Sequence, residues 1–330
     1  MKKFKNRLSL LRSYILKEPL VQGLPVELTI ETTAKCNLSC PMCPRNKLHL
    51  PPEDMDFGLF RKIIDEASDY LEFVWLHGYG EPLLNPKIFE MIAYCHSKKI
   101  PTAISTNATL LDKDVSEKLI RAGLDYIIFS IDAATKQTYE KYRPGAEYDT
   151  IVKNVHNFLK IKTTLKAPII CVAQMILLGQ SHKEIREFKK LWNVKGLDSV
   201  RVKLDEFPVE MVATRKKYLL PCFFLWRGPL FIQYDGKVYP CCWSRDFEPI
   251  GDLRKQTLNQ IWNSKKMMWM RKLHIEGNGS DIACCNCCCV PKPSWPFNTA
   301  IFLLDDFKAR KSIPFFERLF IFNKIPFLKR

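Results

Sequence analysis

Cys36-Asn37-Leu38-Ser39-Cys40-Pro41-Met42-Cys43 follows directly on the β-rich run Val26 to Thr32, and the rest of the sequence is read outward from its three thiols. Thiolate is a soft, charged ligand suited to iron–sulfur clusters and to zinc. Cysteines four and then three residues apart in one loop can converge on one metal centre without long-range folding. The count is as informative as the spacing. An iron–sulfur cubane takes four cysteines, so a local set that stops at three leaves one iron open to a ligand from outside the protein. A zinc site that borrows a fourth ligand such as His49 is the competing use of the same thiols.

Beyond this loop the chain alternates two periods. β-rich runs appear at Val26–Thr32, Phe73–His77, Thr102–Ser105, Tyr126–Ile131, Ile169–Ile176 and Ser199–Leu204. Helix-like spacing falls between them at about Leu59–Tyr70, Pro86–Ser97, Asp112–Ala122, Tyr148–Leu159 and His182–Trp192. Six β units with intervening helices predict a parallel α/β sheet built from right-handed crossovers, open because a closed barrel takes about eight strands.

Ligands of such sheets sit at the carboxyl ends of the strands, so the residues after each β run carry the search. The second run ends in Gly78-Tyr79-Gly80-Glu81-Pro82. Its glycines allow a tight turn close to a ligand, Glu81 brings an acceptor and Pro82 ends the strand; an ordinary βα turn is the plainer use of the same residues. The third ends in Ser105-Thr106-Asn107, whose short polar side chains suit a ribose or, equally, a turn and helix cap before Leu110. The fourth ends in Ser130-Ile131-Asp132, with Arg143-Pro144-Gly145 beyond it. The planar fork of Arg143 matches a carboxylate, although an arginine near a surface helix is more often a solvated charge. Gln174 reads as facing the sheet interior or as a satisfied core amide, His77 as packed structure, and Cys95 and Cys171 as buried small hydrophobes.

From about Leu219 the composition changes. Alternating apolar residues on either side of Asp235-Gly236 predict a hairpin, Leu230 to Tyr239, that returns Cys241 and Cys242 towards Cys222. A helical stretch from about Thr257 to Leu273 leads to Cys284-Cys285-Asn286-Cys287-Cys288-Cys289.

The C-x3-C-x2-C spacing, with Pro44 after it, closely resembles the signature of the radical S-adenosylmethionine (radical SAM) enzymes. The resemblance implies a partial (β/α)6 TIM barrel and a [4Fe-4S] cluster on Cys36, Cys40 and Cys43 whose open iron is chelated by the amino and carboxylate groups of SAM. The turn Gly78, Tyr79, Gly80, Glu81, Pro82 is similar to the family's glycine-rich GGEP element with Tyr79 interposed, implying a contact with the SAM amino group. Ser130 and Arg143 are implied to hold the SAM carboxylate, and Asn107 stands where a ribose would be met. Cys222, the Gly-x4-Cys from Gly236 to Cys241, the Gly251-Asp252-Leu253 turn, the Ile261-Trp262 helix and the closing C-x2-C resemble the auxiliary-cluster domain called SPASM, or its shortened twitch form. Cys222, Cys241, Cys284 and Cys287 would then complete one auxiliary [4Fe-4S] cluster. No cysteine follows Cys289, so the seven-cysteine, two-cluster pattern of a full SPASM domain is not met. Cys242 can replace Cys241, Cys285 with Cys288 is an equally spaced pair, and a four-cysteine zinc ribbon is the alternative.

The expected organisation is a basic amphipathic segment at 1–25, a radical SAM core at 26–217, an auxiliary-cluster domain at 218–290 and a basic, aromatic tail at 291–330. The chemistry implied by the resemblance begins with an external one-electron donor such as flavodoxin or ferredoxin. The reduced cluster splits SAM into methionine and a 5′-deoxyadenosyl radical that takes hydrogen from an unreactive C–H bond. An auxiliary cluster accepting a second electron makes the net reaction an oxidation. Only about 25 residues precede the first β run, which tilts the expectation towards a small-molecule or sugar-like substrate and a dehydrogenase. A peptide or protein maturase with a separate recognition partner is the alternative. No catalytic base is named by the sequence.

Bulk properties bound these readings. With 330 residues, 47% of them hydrophobic, the chain can fill a substantial core. No apolar run reaches the roughly 18 to 20 residues that span a bilayer, and the Lys-rich start is not a secretory signal, so a cytoplasmic chain with reduced, metal-binding cysteines is expected. Of the net charge of +16, residues 1–18 carry +5 and residues 307–330 carry +6, leaving +5 for the 288 residues between. The excess therefore belongs to the two ends. Their apolar stripes either cap the body or lie on an anionic membrane surface. A non-catalytic metal-binding protein with basic tails is the reading from another class; no nucleic-acid module is recognised and none is expected as a partner.

Overall fold

The β-rich run ahead of the cysteine loop forms β1 (Glu27–Ile30), buried at all four positions. In the computed structural model, which describes residues 2–48, 50–204, 221–242, 244, 248–278 and 302–303, the following strands are β2 (Phe73–Trp75), β3 (Thr102–Thr106), β4 (Tyr126–Ser130), β5 (Ile170–Leu177) and β6 (Ser199–Leu204). These six pair in parallel in chain order, an open, partial TIM barrel. Between them run α2 (Arg45–Leu48), α3 (Phe57–Ala67), α4 (Ile88–Ser97), α5 (Lys113–Arg121), α6 (Lys136–Tyr142), α7 (Tyr148–Thr164) and α8 (His182–Leu191). Side chains of Asp56, Asp112 and Ser181 accept from Leu59, Val115 and Glu184 N–H groups and start α3, α5 and α8, the residue types that satisfy orphan amides at helix N-termini.

Register sets which residues face the lumen. Trp75 lies level with Thr29 on one side and Ala103 on the other, Ala103 with Tyr126, and Tyr126 with Ile170. Alternate side chains of these strands share one face. Phe73, Ala103, Tyr126, Ile128 and Val172 therefore form an inner apolar cluster, with Trp75 and Ile170 against it. The opposite face, including Leu28, Ile30, Ile104, Ile127 and Phe129, joins the larger core under the helices.

The predicted hairpin is present as β7 (Leu230–Ile232) and β8 (Lys237–Tyr239), antiparallel, with Gly236 at φ +90 in its turn. It does not open a separate sheet. β7 pairs in parallel with β1, Thr29 level with Phe231, and β9 (Gly251–Asp252) follows β8. A short α9 (Phe224–Arg227) precedes the hairpin. The stretch expected as one helix from about Thr257 is two, α10 (Leu258–Trp262) and α11 (Lys265–Ile275). Asn263 causes the break: its side chain accepts from Val21 N (3.1 Å) and Arg271 Nη1 (3.1 Å) and donates to Val21 O (3.0 Å), while Ser264 caps α11.

The first segment is α1 (Lys2–Ile15), which buries Leu10, Ser13 and Tyr14. Tyr14 packs its ring against Trp226 (5.6 Å) and Phe302 (4.9 Å), a capping role for this face. Phe4, Leu8, Ile15 and Leu16 are exposed. The aromatic residues of the tail from 304 onward lie outside the described residues. Among the described residues no helix is long and apolar enough to cross a membrane.

Candidate cofactor site

Cys36, Cys40 and Cys43 are half-buried in the loop that leaves β1. The loop is closed by its own backbone: Cys43 N donates to Cys40 O (2.9 Å), Asn46 Nδ2 to the same carbonyl (2.9 Å), and Arg45 Nε to Ala34 O (3.0 Å). Burial raises the Cys36 and Cys40 thiols above their ordinary value. The charge of Cys43 adds to the rise at both, while Arg45 pulls Cys36 down and Arg143 pulls Cys40 down. Three thiols that feel one another's charge, flanked by two arginines, suit a cationic metal centre, whose own charge reverses the balance and favours thiolate. Among the described residues no three His, Cys, Asp or Glu donors converge on a single ion. A cluster asks for less convergence, because each thiolate meets a different iron. The donor set fits a cluster rather than a mononuclear ion.

The turn after β2 is locked to that loop. Glu81 N donates to Lys35 O (2.8 Å), one residue before Cys36. A Cβ on Gly80 would lie 2.1 Å from Thr33 O and 2.7 Å from Lys35 O, so only glycine lets the two backbones meet. Glu81 is buried, and its carboxylate is engaged within the protein: Oε1 accepts from Thr106 Oγ1 (2.8 Å) and Leu83 N (3.2 Å), Oε2 from Asn107 N (2.8 Å). Burial outweighs these bonds and pushes its pKa up to about 6. Asn107 acts as a turn residue, Oδ1 accepting from Thr109 N (2.9 Å), while its Nδ2 donates to Asn37 Oδ1 (3.0 Å) inside the cysteine loop. Pro82 is buried at the start of a 3-10 turn, Pro82–Leu84.

At the end of β4, Ser130 Oγ and Ser105 Oγ share a hydrogen bond of 2.9 Å. Arg143 is no solvated charge. Its Nε (3.1 Å) and Nη2 (2.5 Å) both donate to Asp132 Oδ2, and the partner is wholly buried. Asp132 sits at φ +65, and its Oδ1 accepts from Ile176 N (2.8 Å). Asp132, Glu31 and Asn37, which position these groups, were not assigned roles by the sequence. Thr106, read there with Ser105 and Asn107 as a ribose contact or a turn and cap, donates to Glu81 and accepts from Ala108 N (3.0 Å). Gln174 is buried on β5. His77 packs edge-on to Trp75 (5.2 Å), and its enclosed Nδ1 has no hydrogen-bond partner among the described residues. Burial, then the charge of Lys203, brings its pKa down to about 4. Cys95 and Cys171 are buried in the core as expected.

In the C-terminal part, Cys222 is half-buried and its N–H donates to His274 Nδ1 (3.3 Å). Cys241 is buried, and Cys242, half-buried, accepts at its carbonyl from Tyr79 Oη (2.8 Å). His49, Cys284, Cys285, Cys287, Cys288 and Cys289 lie outside the described residues.

Comparison with known proteins bears on both halves. The model of the Radical SAM superfamily matches residues 30–191, and that of the SPASM iron–sulfur cluster-binding domain matches residues 222–289. The PqqA peptide cyclase of Gluconobacter oxydans is 31% identical over 277 residues, 72% of this chain and 76% of that protein. The tungsten-containing aldehyde ferredoxin oxidoreductase cofactor-modifying protein of Pyrococcus furiosus is 26% identical over 296 residues, 74% of this chain and 82% of that one. Among solved structures, Streptococcus suis SuiB bound to S-adenosylmethionine superposes with a TM-score of 0.63 at 18% identity, covering 79% of this chain and 72% of SuiB.

Proposed function

The chain belongs to the radical SAM superfamily and carries a C-terminal SPASM domain, and from that premise we propose that it modifies a peptide, using SAM held against a cluster on Cys36, Cys40 and Cys43. The enzyme's cofactors are SAM, a [4Fe-4S] cluster and auxiliary iron–sulfur chemistry in the SPASM domain. When bound, the reduced cluster would supply one-electron cleavage of SAM and, through SAM, the ability to take a hydrogen atom from an unactivated C–H bond.

The chain's own residues hold and exclude. Cys36, Cys40 and Cys43 bind as thiolates and leave one position for SAM. Arg143, oriented by Asp132 and close enough to act on Cys40, offers the rest of its fork to the SAM carboxylate, with the Ser105–Ser130 hydroxyls beside it. The backbone of Gly78, Tyr79 and Gly80 meets the SAM amino end. Glu81 braces that turn from behind, and Asn107 stands at the ribose. The inner cluster around Trp75 and Tyr126 keeps water from the lumen below. Cys222 and Cys241, with Cys284 and Cys287, would hold one auxiliary [4Fe-4S] cluster; Cys242, Cys285 and Cys288 are the alternative register. An external one-electron donor of the flavodoxin or ferredoxin type supplies the reducing equivalent.

A peptide substrate replaces the small molecule expected from the sequence because the PqqA peptide cyclase is 31% identical over most of both chains. Small-molecule oxidation is the second reading, favoured by the Pyrococcus relative, whose name describes modification of a cofactor. The observation that carries the shared part is the meeting of the cysteine loop, the glycine turn and Arg143 at one end of the parallel sheet. Anaerobically iron-loaded, dithionite-reduced protein incubated with SAM should release 5′-deoxyadenosine, and Cys40→Ala should not. Intact SAM in the presence of fully loaded wild type, or undiminished cleavage by Cys40→Ala, would defeat the proposal. Adding a short peptide encoded beside the gene and following its mass separates the two substrate readings: a product of altered mass supports the first.

A further inference from the structure

The turn Gly78–Pro82 touches both cysteine-bearing parts of the molecule. On one side Glu81 N is bonded to Lys35 O (2.8 Å), adjacent to Cys36. On the other, Tyr79 reaches across 163 positions of sequence and donates its hydroxyl to the carbonyl of Cys242 (2.8 Å), adjacent to Cys241. Tyr79 is held for this task. Its N–H donates to Glu31 Oε1 (2.9 Å), and its ring lies 6.3 Å from that of Phe231 on β7. The receiving end is shaped too. Ser244 Oγ donates to Cys241 O (2.7 Å) and accepts from Cys241 N (3.2 Å), tying the backbone of the Cys241–Cys242 corner into a tight turn. Tyr79 is also the residue by which this turn departs from a plain double glycine.

We propose that Tyr79 is a positioning residue that couples the Cys241–Cys242 corner to the SAM-binding turn, so that an ordered auxiliary site strengthens SAM binding. A hydrogen bond to a backbone carbonyl senses where that backbone is. When the thiols of the corner are held by metal, the carbonyl is held, and through Tyr79 so is the turn. Because Gly80 has no free space against the cysteine loop, a small displacement of the turn cannot be absorbed locally. The inference rests on the reading that this turn contacts SAM and that Cys222 and Cys241 belong to the auxiliary site.

Binding linkage gives the test, because coupling between two sites is reciprocal and a double-mutant cycle isolates it. SAM dissociation constants would be measured by equilibrium dialysis on iron-loaded wild type, Tyr79→Phe, Cys222→Ala and the double variant. Tyr79→Phe keeps the ring against Phe231 and removes only the hydroxyl. Each single change should weaken SAM binding about threefold to tenfold, the scale of one hydrogen bond, and the double variant should be no weaker than either. Effects that multiply would overturn the coupling and leave Tyr79 a merely structural residue. A second measurement spares the thiols: SAM should slow hydrogen exchange at residues 237–242 in wild type and not in Tyr79→Phe, and equal protection in both would overturn the proposal. Two outcomes would sink it through its premises and are recognisable as such: wild type that binds no SAM, and Cys222→Ala that keeps its full iron content.

Discussion

Arg143 and His77 show how the surroundings of one side chain decide its role. The sequence presents Arg143 as a fork beside a surface helix; in the fold, two of its donors are spent on Asp132 and the guanidinium lies beside Cys40. His77 packs edge-on to Trp75, with Nδ1 unpartnered among the described residues, and burial brings its pKa down to about 4. Its effect on stability has a definite sign. The folded state holds the imidazole near 4 against an ordinary 6.5, so unfolding takes up a proton below 6.5, and stability present above that pH is lost as pH falls towards 4. The slope is about 1.4 kcal/mol per pH unit, or about 2 kcal/mol between pH 6.5 and about 5. Glu81 acts the other way: its carboxyl is raised from 4.5 to about 6, so it contributes stability at low pH that is lost as pH rises through 6. The two partly cancel in wild type, and His77→Gln separates them. Urea unfolding should show the difference in stability between wild type and variant shrinking or reversing by about 2 kcal/mol on going from pH 6.5 to about 5. A difference independent of pH would mean that His77 is not held neutral.

Among elements, what was legible in the sequence is what short-range chemistry determines. The thiol spacing and the Asp-Gly hairpin act within a few residues, and strands β1 to β6 appear within two residues of their expected limits. The break between α10 and α11 was not legible, because it is made by Asn263 bonding to Val21, 242 positions away. For the same reason the fork of Arg143 could be read and its buried partner could not. The turn after β2 lies between these cases: glycine at 80 is visible, but the backbone it must admit is not. Gly80→Ala places a methyl group against Thr33 O and Lys35 O, both main-chain atoms with little freedom to yield. The expected cost is about 1–3 kcal/mol of stability, the range for overpacking, together with loss of the Glu81–Lys35 link that holds the cysteine loop. Iron content after reconstitution should drop along with the urea midpoint. A variant with wild-type iron and stability would show that the loop is not held by this turn.

For the whole molecule, the change of chemistry near residue 218 does not coincide with a change of sheet. β7 completes the exposed edge of β1, with Val26 N donating to Arg227 O (3.1 Å) and Glu31 N to Ile232 O (2.8 Å). Trp226, Leu230, Ile232, Trp262 and Met267 share one apolar core with Leu28, Ile30 and Phe60. Arg271, buried, ties the parts by donating to Leu225 O (2.7 Å), Pro19 O (2.9 Å) and Trp262 O (2.9 Å). Charge makes the dependence sharpest: Glu27, buried beneath the lumen, pairs with Arg227 (3.3 Å) and accepts from Trp75 Nε1 (2.6 Å). Ending the chain at residue 217 removes Arg227 and with it the counter-charge 3.3 Å from that carboxylate, a loss of about 3–5 kcal/mol before any apolar surface is counted. Since domains of this size are stable by only about 5–15 kcal/mol, residues 1–217 alone should fail to show a cooperative urea transition, although they contain the whole cysteine loop. Adding Glu27→Gln to the fragment should recover part of the loss, because a neutral amide needs no counter-charge. If the unsubstituted fragment unfolds cooperatively near the wild-type midpoint, the two parts are independent folding units and the shared sheet is only a contact between them.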